Sequence, residues 1–136
     1  MSLKSPAAPS RFRAPPSPVA SEFRMSATKA RSVMAGVRAE LRSAPEGELF
    51  REHLTEFQLS EMYATGFIPV RGSEGNEYYV GVWPVDRLAR VWARDPKGQL
   101  GKHYCLVVTT VTQYDAVIAK VLLIQADEKK FVRVAY

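Results

Sequence analysis

The sequence contains few of the residues that build disulfides or metal centres. Among its 136 residues there is one cysteine, Cys105, and there are two histidines, His53 and His103. A single cysteine forms no intrachain disulfide, and these three side chains fall short of the four ligands of a closed structural zinc site. We therefore expect no metal, no cofactor, and a reducing, cytoplasmic rather than a secreted location.

Long apolar runs are also missing. The longest ones, near 105–108 and 121–124, are far shorter than the roughly 20 residues that span a bilayer. We expect no transmembrane helix and no membrane partner. The composition, 46% hydrophobic and 24% charged, is that of an ordinary globular protein, and a chain of this length builds one core.

Acidic residues are scarce in the first third of the chain. Up to Pro45 there are eight basic residues and only two acidic ones, Glu22 and Glu40, so this segment carries +6 while the rest carries −1, which gives the net charge of +5. This asymmetry predicts nucleic acid or an acidic protein surface as the partner, the alternative being a solvated tail. The basic residues concerned are Lys4, Arg11, Arg13, Arg24, Lys29, Arg31, Arg38 and Arg42.

Proline is frequent where acids are scarce. Five prolines occur between residues 6 and 18, and they favour extended chain over packed elements. We therefore predict an extended basic arm over 1–25 and one α+β domain over 26–136. Within the domain we predict a helical part over 26–65, a β-meander over 66–111 and a C-terminal helical part over 113–134.

The helical part begins with a predicted helix over Ser26–Ser43. Ser26 suits the N-cap, Pro45 is a stop signal, and apolar residues recur at helical spacing. Two interpretations remain open: a basic helix lying on a polyanion, or a surface helix with one apolar stripe on the core. Two shorter helical pieces follow, the second capped by Thr55 and ended by Gly66 in the left-handed conformation.

The predicted sheet starts with a hairpin over Gly66–Val82, whose turn covers 72–76. Pro69 removes a ladder donor, so the first strand is an edge or contains a bulge. A third strand is predicted from Leu88 to Arg94, and a fourth from His103 to Thr110. Three or four strands joined by short turns make a small antiparallel sheet, which helices pack against.

The last part is predicted to be helical again. Asp115 suits the N-cap of a helix over Ala116–Ala126, which should pack across the sheet. The segment 127–130 breaks this helix or starts a new one before Phe131.

One pair of residues suggests a nucleophile. His103 and Cys105 lie two apart on a predicted strand, so their side chains share one face. Neighbours at this spacing are roughly 7 Å apart, too far for the hydrogen bond that activates a thiol. We predict that the cysteine is inert and that the protein is not an enzyme.

The best binding candidates lie in the sheet. Arg90, Trp92 and Arg94 share a face of the predicted third strand, beside a tyrosine of the hairpin, and arginines interleaved with aromatics bind bases and phosphates. The alternative is that this tryptophan belongs to the core. Arg71, next to the hairpin turn, is positioned for a contact at the loop tip.

Several short segments resemble a known group of proteins. They are Val70-Arg71-Gly72-Ser73, Tyr78-Tyr79-Val80, the single Cys105, Asp115-Ala116-Val117-Ile118-Ala119-Lys120, and Asp127-Glu128 followed by Phe131. In this order they resemble uncharacterised small proteins of bacteriophage and planctomycete-type genomes. The resemblance covers the C-terminal half and implies a role in a virion or as a phage accessory protein.

These observations lead to two functional hypotheses. The first is a non-enzymatic structural protein that interacts with other subunits of an assembly, a phage-like virion, through its extended N-terminal arm. The second is a small nucleic-acid-binding accessory protein that uses the basic arm and the first helix. Both predict an oligomer or a larger complex.

Overall fold

A computed structural model describes residues 26–95, 97, 100–106, 108 and 112–135. Three helices, α1 (Ala27–Ser43), α2 (Pro45–His53) and α3 (Glu56–Thr65), precede four strands, β1 (Phe67–Arg71), β2 (Glu77–Gly81), β3 (Val91–Arg94) and β4 (Leu100–Tyr104). Two helices, α4 (Gln113–Ala126) and α5 (Glu128–Val134), follow the sheet. The predicted arm over 1–25 lies outside the described residues.

Local signals place the first three helices. The Ser26 hydroxyl oxygen accepts a hydrogen bond from the Lys29 amide at 3.1 Å, so the predicted N-cap of α1 is confirmed. One stripe of α1 is buried in the core: Ala30, Met34, Val37 and Leu41. Thr55 and Gln58 form a capping box at the start of α3, and Gly66 ends this helix with a φ of 83°, as predicted.

The four strands form one antiparallel sheet in the order β1-β2-β3-β4, which confirms the predicted α+β architecture. Pro69 lies in β1, at the edge of the sheet, where its missing N–H breaks no ladder. The carbonyl oxygen of Pro69 accepts a hydrogen bond from the Gln58 side chain at 2.8 Å. Helix α3 therefore protects the β1 edge, and α4 packs against β1 and β2.

The predicted bounds of the last two strands were wrong. β3 begins at Val91 instead of Leu88, because the buried Asp86 carboxylate accepts hydrogen bonds from the amides of Leu88 and Arg90 at 3.1 and 2.9 Å. The Asp86 side chain thus takes the place of a neighbouring strand as the acceptor for these amides. It holds the loop that precedes β3, in which Ala89 has a φ of 48°. β4 ends at Tyr104, so Cys105 lies beyond the strand that was predicted to contain it.

The start of the C-terminal helix also differs from the prediction. Thr112 is the N-cap of α4, and its hydroxyl oxygen accepts a hydrogen bond from the Asp115 amide at 3.1 Å. Asp115 thus lies in the first turn, where its negative charge is favourable. Asp127 then caps α5, so the segment after Ala126 starts a new helix.

A buried carboxylate joins the hairpin turn to α5. Glu128 is 2% exposed and accepts hydrogen bonds from the Glu74 amide at 2.8 Å, from the Asn76 side chain at 2.6 Å and from the Tyr78 hydroxyl. A Cβ atom on Gly72 would lie 2.1 Å from this carboxylate, so close approach explains that glycine. Gly75, with a φ of 94°, is the residue that needs the left-handed conformation in this turn.

The helices are too short or too polar to cross a membrane. Within the described residues, none combines the length and the hydropathy that a bilayer span requires.

Candidate anion-binding groove

The arginines of the sheet are committed to contacts within the protein. Arg94 donates a hydrogen bond to the Tyr79 hydroxyl at 2.6 Å, and its Nε lies 3.3 Å from the Glu77 carboxylate. The Arg71 guanidinium lies 3.7 Å from the same carboxylate. One carboxylate therefore pairs with two of the cations that the sequence suggested for binding and offsets one of their two charges.

Arg90 and Trp92 belong to the same layer. The Arg90 Nε lies 3.5 Å from the buried Asp86 carboxylate, and its guanidinium is centred 5.0 Å from the Trp92 ring. Trp92 is only 4% exposed and contacts the His103 ring, with the two centroids 4.8 Å apart. Burial of the indole fits the alternative interpretation, in which this tryptophan belongs to the core.

The remaining predicted site residues divide between α1 and the arm. Lys4, Arg11, Arg13 and Arg24 lie outside the described residues. Arg31, Arg38 and Arg42 are exposed on α1 and follow one another after seven and four residues. Seven residues make about two helical turns and four make about one, so these arginines form a single stripe. Lys29 lies about 200° around the helix from Arg31 and is not part of the stripe.

Two arginines of this stripe, Arg38 and Arg42, border a groove of about 500 Å³ between the first three helices. Its walls come from α1, α2 and α3, and its lining residues are Arg38, Arg42, Arg51, Glu56, Leu59, Ser60 and Tyr63. α1 reaches this position because its apolar stripe packs on the core beside Met62 of α3. Because the apolar stripe of α1 is buried, the arginines beside it lie at the edge of the contact between α1 and α3.

Three guanidinium groups act on the same tyrosine. The Arg38 guanidinium lies over the Tyr63 ring, 5.0 Å from its centroid. Burial raises the pKa of the Tyr63 hydroxyl, while the positive charges of Arg38, Arg51 and Arg42 oppose this change. All three arginines and Tyr63 line the same groove, so the three positive charges lie near this hydroxyl.

Little negative charge offsets these arginines. Within the described residues, Arg38, Arg42 and Arg51 form no ion pair with a carboxylate. Glu40, the acid of α1, instead accepts a hydrogen bond from the Tyr114 hydroxyl of α4 at 2.7 Å. Glu56 is the acid in the lining of the groove, which therefore keeps a positive balance.

These groups suit an oxyanion. A guanidinium donates two parallel hydrogen bonds to a phosphate or carboxylate, and the hydroxyls of Ser60 and Tyr63 are further donors. By contrast, the described residues contain no group of three His, Cys, Asp or Glu side chains placed to hold a metal ion. His103 and Cys105 are joined by no hydrogen bond within the described part of the chain.

Sequence reasoning found only part of this groove. Arg38 and Arg42 were identified from charge, whereas Arg51, Ser60 and Tyr63 were missed. Arg51 lies in a helix with acidic residues on both sides of it in sequence, so charge patterning gives no signal there. The three missed residues meet the stripe only because α2 and α3 pack against α1, which local sequence does not specify.

Comparisons with protein-family models, with curated proteins and with solved structures found no match for this chain. The resemblance to phage and planctomycete proteins therefore stays a prediction. The contacts of the groove are the basis for a functional proposal.

Proposed function

We propose that this protein is a non-enzymatic binding protein that holds a nucleic acid by its phosphates in the groove between α1, α2 and α3. The observation that carries the proposal is that Arg38, Arg42 and Arg51 line one groove without carboxylate partners among the described residues. Unpaired guanidinium groups on rigid helices bind phosphates with little cost of reorganisation.

The length of the arginine stripe favours a polymer over a small phosphate compound. Arg31 lies eleven residues before Arg42, which corresponds to about 16 Å along the helix axis. A nucleic-acid strand places successive phosphates along such a distance, whereas one small anion occupies only the groove itself. The basic excess of the first third of the chain acts in the same direction.

The hypothesis of an assembly protein rests on other residues. It assigns the anchoring contacts to the arm over 1–25, which lies outside the described residues, and so it stays a prediction. The two hypotheses are compatible, because a protein of a nucleic-acid-containing particle can bind both its neighbours and the nucleic acid.

The proposal is tested by measuring affinity against salt concentration. We expect the full chain to bind a fluorescein-labelled DNA of about 20 nucleotides, with log K falling linearly between about 50 and about 200 mM salt. A variant with Arg38→Ala, Arg42→Ala and Arg51→Ala should bind more weakly and show a shallower slope. Every phosphate that this variant no longer neutralises should reduce the slope by about 0.7 for single strands and by about 0.9 for duplexes.

A charge-matched control separates the groove from a general effect of net charge. Lys129→Ala, Lys130→Ala and Arg133→Ala in α5 remove the same three charges from exposed positions outside the groove. This variant should retain the slope of the unmodified protein. If both triple variants weaken binding equally, or if the unmodified protein does not bind at the lowest salt, the proposal is wrong.

A further inference from the structure

A depression of about 430 Å³ lies between the β2–β3 loop and the first half of α1. Leu88 of the loop lines it and is 68% exposed, more than any other large apolar side chain that the structure describes. One exposed leucine is ordinary by itself, whereas apolar side chains gathered around a depression are typical of a binding surface. Val33 of α1 and Pro84 of the loop, both half-buried, add to this apolar lining.

The rim of the depression is positively charged. Lys29 of α1 and Arg87 of the loop belong to its lining, and both are exposed. Neither forms an ion pair with a carboxylate among the described residues. An apolar surface with two available cations is complementary to a ligand that is both apolar and acidic.

The acidic residue of the lining is already engaged. Asp86 is fully buried, pairs with the Arg90 Nε at 3.5 Å and accepts hydrogen bonds from the amides of Leu88 and Arg90. Among the described residues the lining thus holds three bases and one acid, a balance of +2. That balance comes from Lys29 and Arg87, because Asp86 offsets Arg90.

The loop holds Leu88 in place. The next residue, Ala89, donates its amide hydrogen to the Asp86 carbonyl oxygen at 2.9 Å. The Ala89 carbonyl oxygen accepts a hydrogen bond from the buried Lys120 ammonium at 2.8 Å. The backbone around Leu88 is therefore anchored while its side chain remains exposed, which favours binding without a large ordering cost.

The depression and the groove lie on different sides of α1. Lys29 and Val33 are four residues apart, or about 40° around the helix, whereas Arg31 of the arginine stripe lies about 200° from Lys29. The buried apolar stripe of α1 lies between these two sides. The depression is therefore a second surface, and an inference from it does not rest on the proposed function of the groove.

Charge decides what can occupy this surface. The arm over 1–25 precedes α1 in sequence, but it has four basic residues and one acidic residue, and a second copy of the chain carries +5. Neither complements a positive rim, whereas a carboxylate-rich segment of another protein does. The volume of the depression is at the small end of the range for ligand pockets, so it suits one anchoring side chain of such a segment.

We propose that this depression binds an acidic peptide segment of a partner protein, with an apolar side chain of the segment on Leu88 and its carboxylates on Lys29 and Arg87. A carboxylate accepts charge-assisted hydrogen bonds from both ammonium and guanidinium groups. Such a contact is the kind of subunit interaction that the assembly hypothesis requires, at a surface other than the arm.

The experiment measures, by fluorescence anisotropy, the binding of a fluorescein-labelled peptide to the full chain. The peptide has about eight residues, with glutamates on both sides of a central phenylalanine, so that it can cross the depression in extended form. At about 150 mM salt, attraction between exposed charges more than about 8 Å apart is screened. We expect this peptide to bind, and a peptide with glutamine in place of each glutamate to bind at least about 2-fold more weakly.

Two variants of the protein locate the contact. Lys29→Ala combined with Arg87→Ala should weaken peptide binding by roughly 2- to 30-fold, the equivalent of two exposed ion pairs. Leu88→Ala should weaken it by roughly 4- to 15-fold, the equivalent of one or two buried carbon groups.

Each variant has a control of the same chemistry at an exposed position elsewhere. Lys130→Ala combined with Arg133→Ala in α5 also removes one lysine and one arginine. Leu122→Ala truncates an exposed leucine on α4. Neither control should change peptide binding, and thermal unfolding of every variant checks that the fold is intact.

The groove variant separates this inference from the proposed function. Arg38→Ala with Arg42→Ala and Arg51→Ala should keep the affinity for the peptide, whereas Lys29→Ala with Arg87→Ala should keep the salt slope of DNA binding. The peptide proposal is overturned if the peptide does not bind, if the depression variants bind it as tightly as their controls do, or if the loss appears in the groove variant instead. Phosphate binding by the groove stands or falls on the DNA measurements alone.

Discussion

Two regions of this protein place arginines beside aromatic rings and use them differently. In the sheet, Arg94 contacts Tyr79 and also the Glu77 carboxylate. In the groove, Arg38 contacts Tyr63 and forms no ion pair with a carboxylate among the described residues. Residue type alone therefore does not identify a binding site. An arginine with an acidic neighbour is engaged within the fold, whereas one without such a neighbour is available to an anion.

The largest effect on the free energy of unfolding is expected from substituting Asp86, in the loop that precedes β3. This carboxylate is fully buried, pairs with Arg90 and accepts hydrogen bonds from two loop amides. Asp86→Ala removes the carboxylate that both amides and the largely buried Arg90 guanidinium contact, so we expect the free energy of unfolding to fall by about 3 to 5 kcal/mol. Urea denaturation measures the change as a lower midpoint at an unchanged m-value.

A groove arginine is the matched comparison for that substitution. Arg42 is exposed and forms no ion pair among the described residues, so Arg42→Ala should change the free energy of unfolding by at most about 0.5 kcal/mol. Equal losses in Asp86→Ala and Arg42→Ala would mean that the two regions do not differ in the way described.

The stability of the protein should depend on pH through one buried lysine, Lys120, which lies near Asp86. Lys120 is 4% exposed, and its ammonium group donates a hydrogen bond to the carbonyl oxygen of Ala89 at 2.8 Å. Burial lowers the pKa of Lys120 below its ordinary value of 10.5, with the negative charge of Asp86 opposing the change. The unfolded chain therefore binds this proton more tightly than the folded protein does.

The sign of the pH dependence follows from that difference. As pH rises from the folded-state pKa of Lys120 toward 10.5, the folded protein gains stability, by at most about 1.4 kcal/mol per pH unit. The gain is lost again as pH falls through the folded-state pKa. We expect the stability of the unmodified protein relative to Lys120→Met to increase, in urea denaturation, as pH rises toward 10.5. A constant or decreasing difference would contradict the prediction; the tyrosines, present in both proteins, cancel.

Much of the fold could be predicted because its signals are local. The N-cap of α1, the start of α3 at Thr55 and the left-handed Gly66 each depend on a few neighbouring residues. The bounds of β3 were wrong for the opposite reason. Arg90 and its neighbours alternate like a strand, but the Asp86 side chain takes the loop amides that a ladder would use, and this competition depends on burial.

The groove was only half predictable, because its arginines come from two helices. The stripe on α1 follows from sequence spacing, whereas the approach of Arg51 and Tyr63 follows from how α2 and α3 pack.

The smallest effect is expected for Glu56, the acidic residue of the groove. Glu56 lines the groove and partly offsets its arginines, as Glu77 does for the sheet, but it is exposed and screened by solvent. Glu56→Gln removes this charge and keeps a side chain of the same shape. We expect binding of the labelled DNA to strengthen by about 2- to 4-fold at low salt, as for one exposed ion pair. Glu48→Gln, an exposed α2 position outside the groove lining, makes the same change in net charge and should strengthen binding less. Equal gains from the two substitutions would mean that binding responds to net charge alone and that the groove has no particular role.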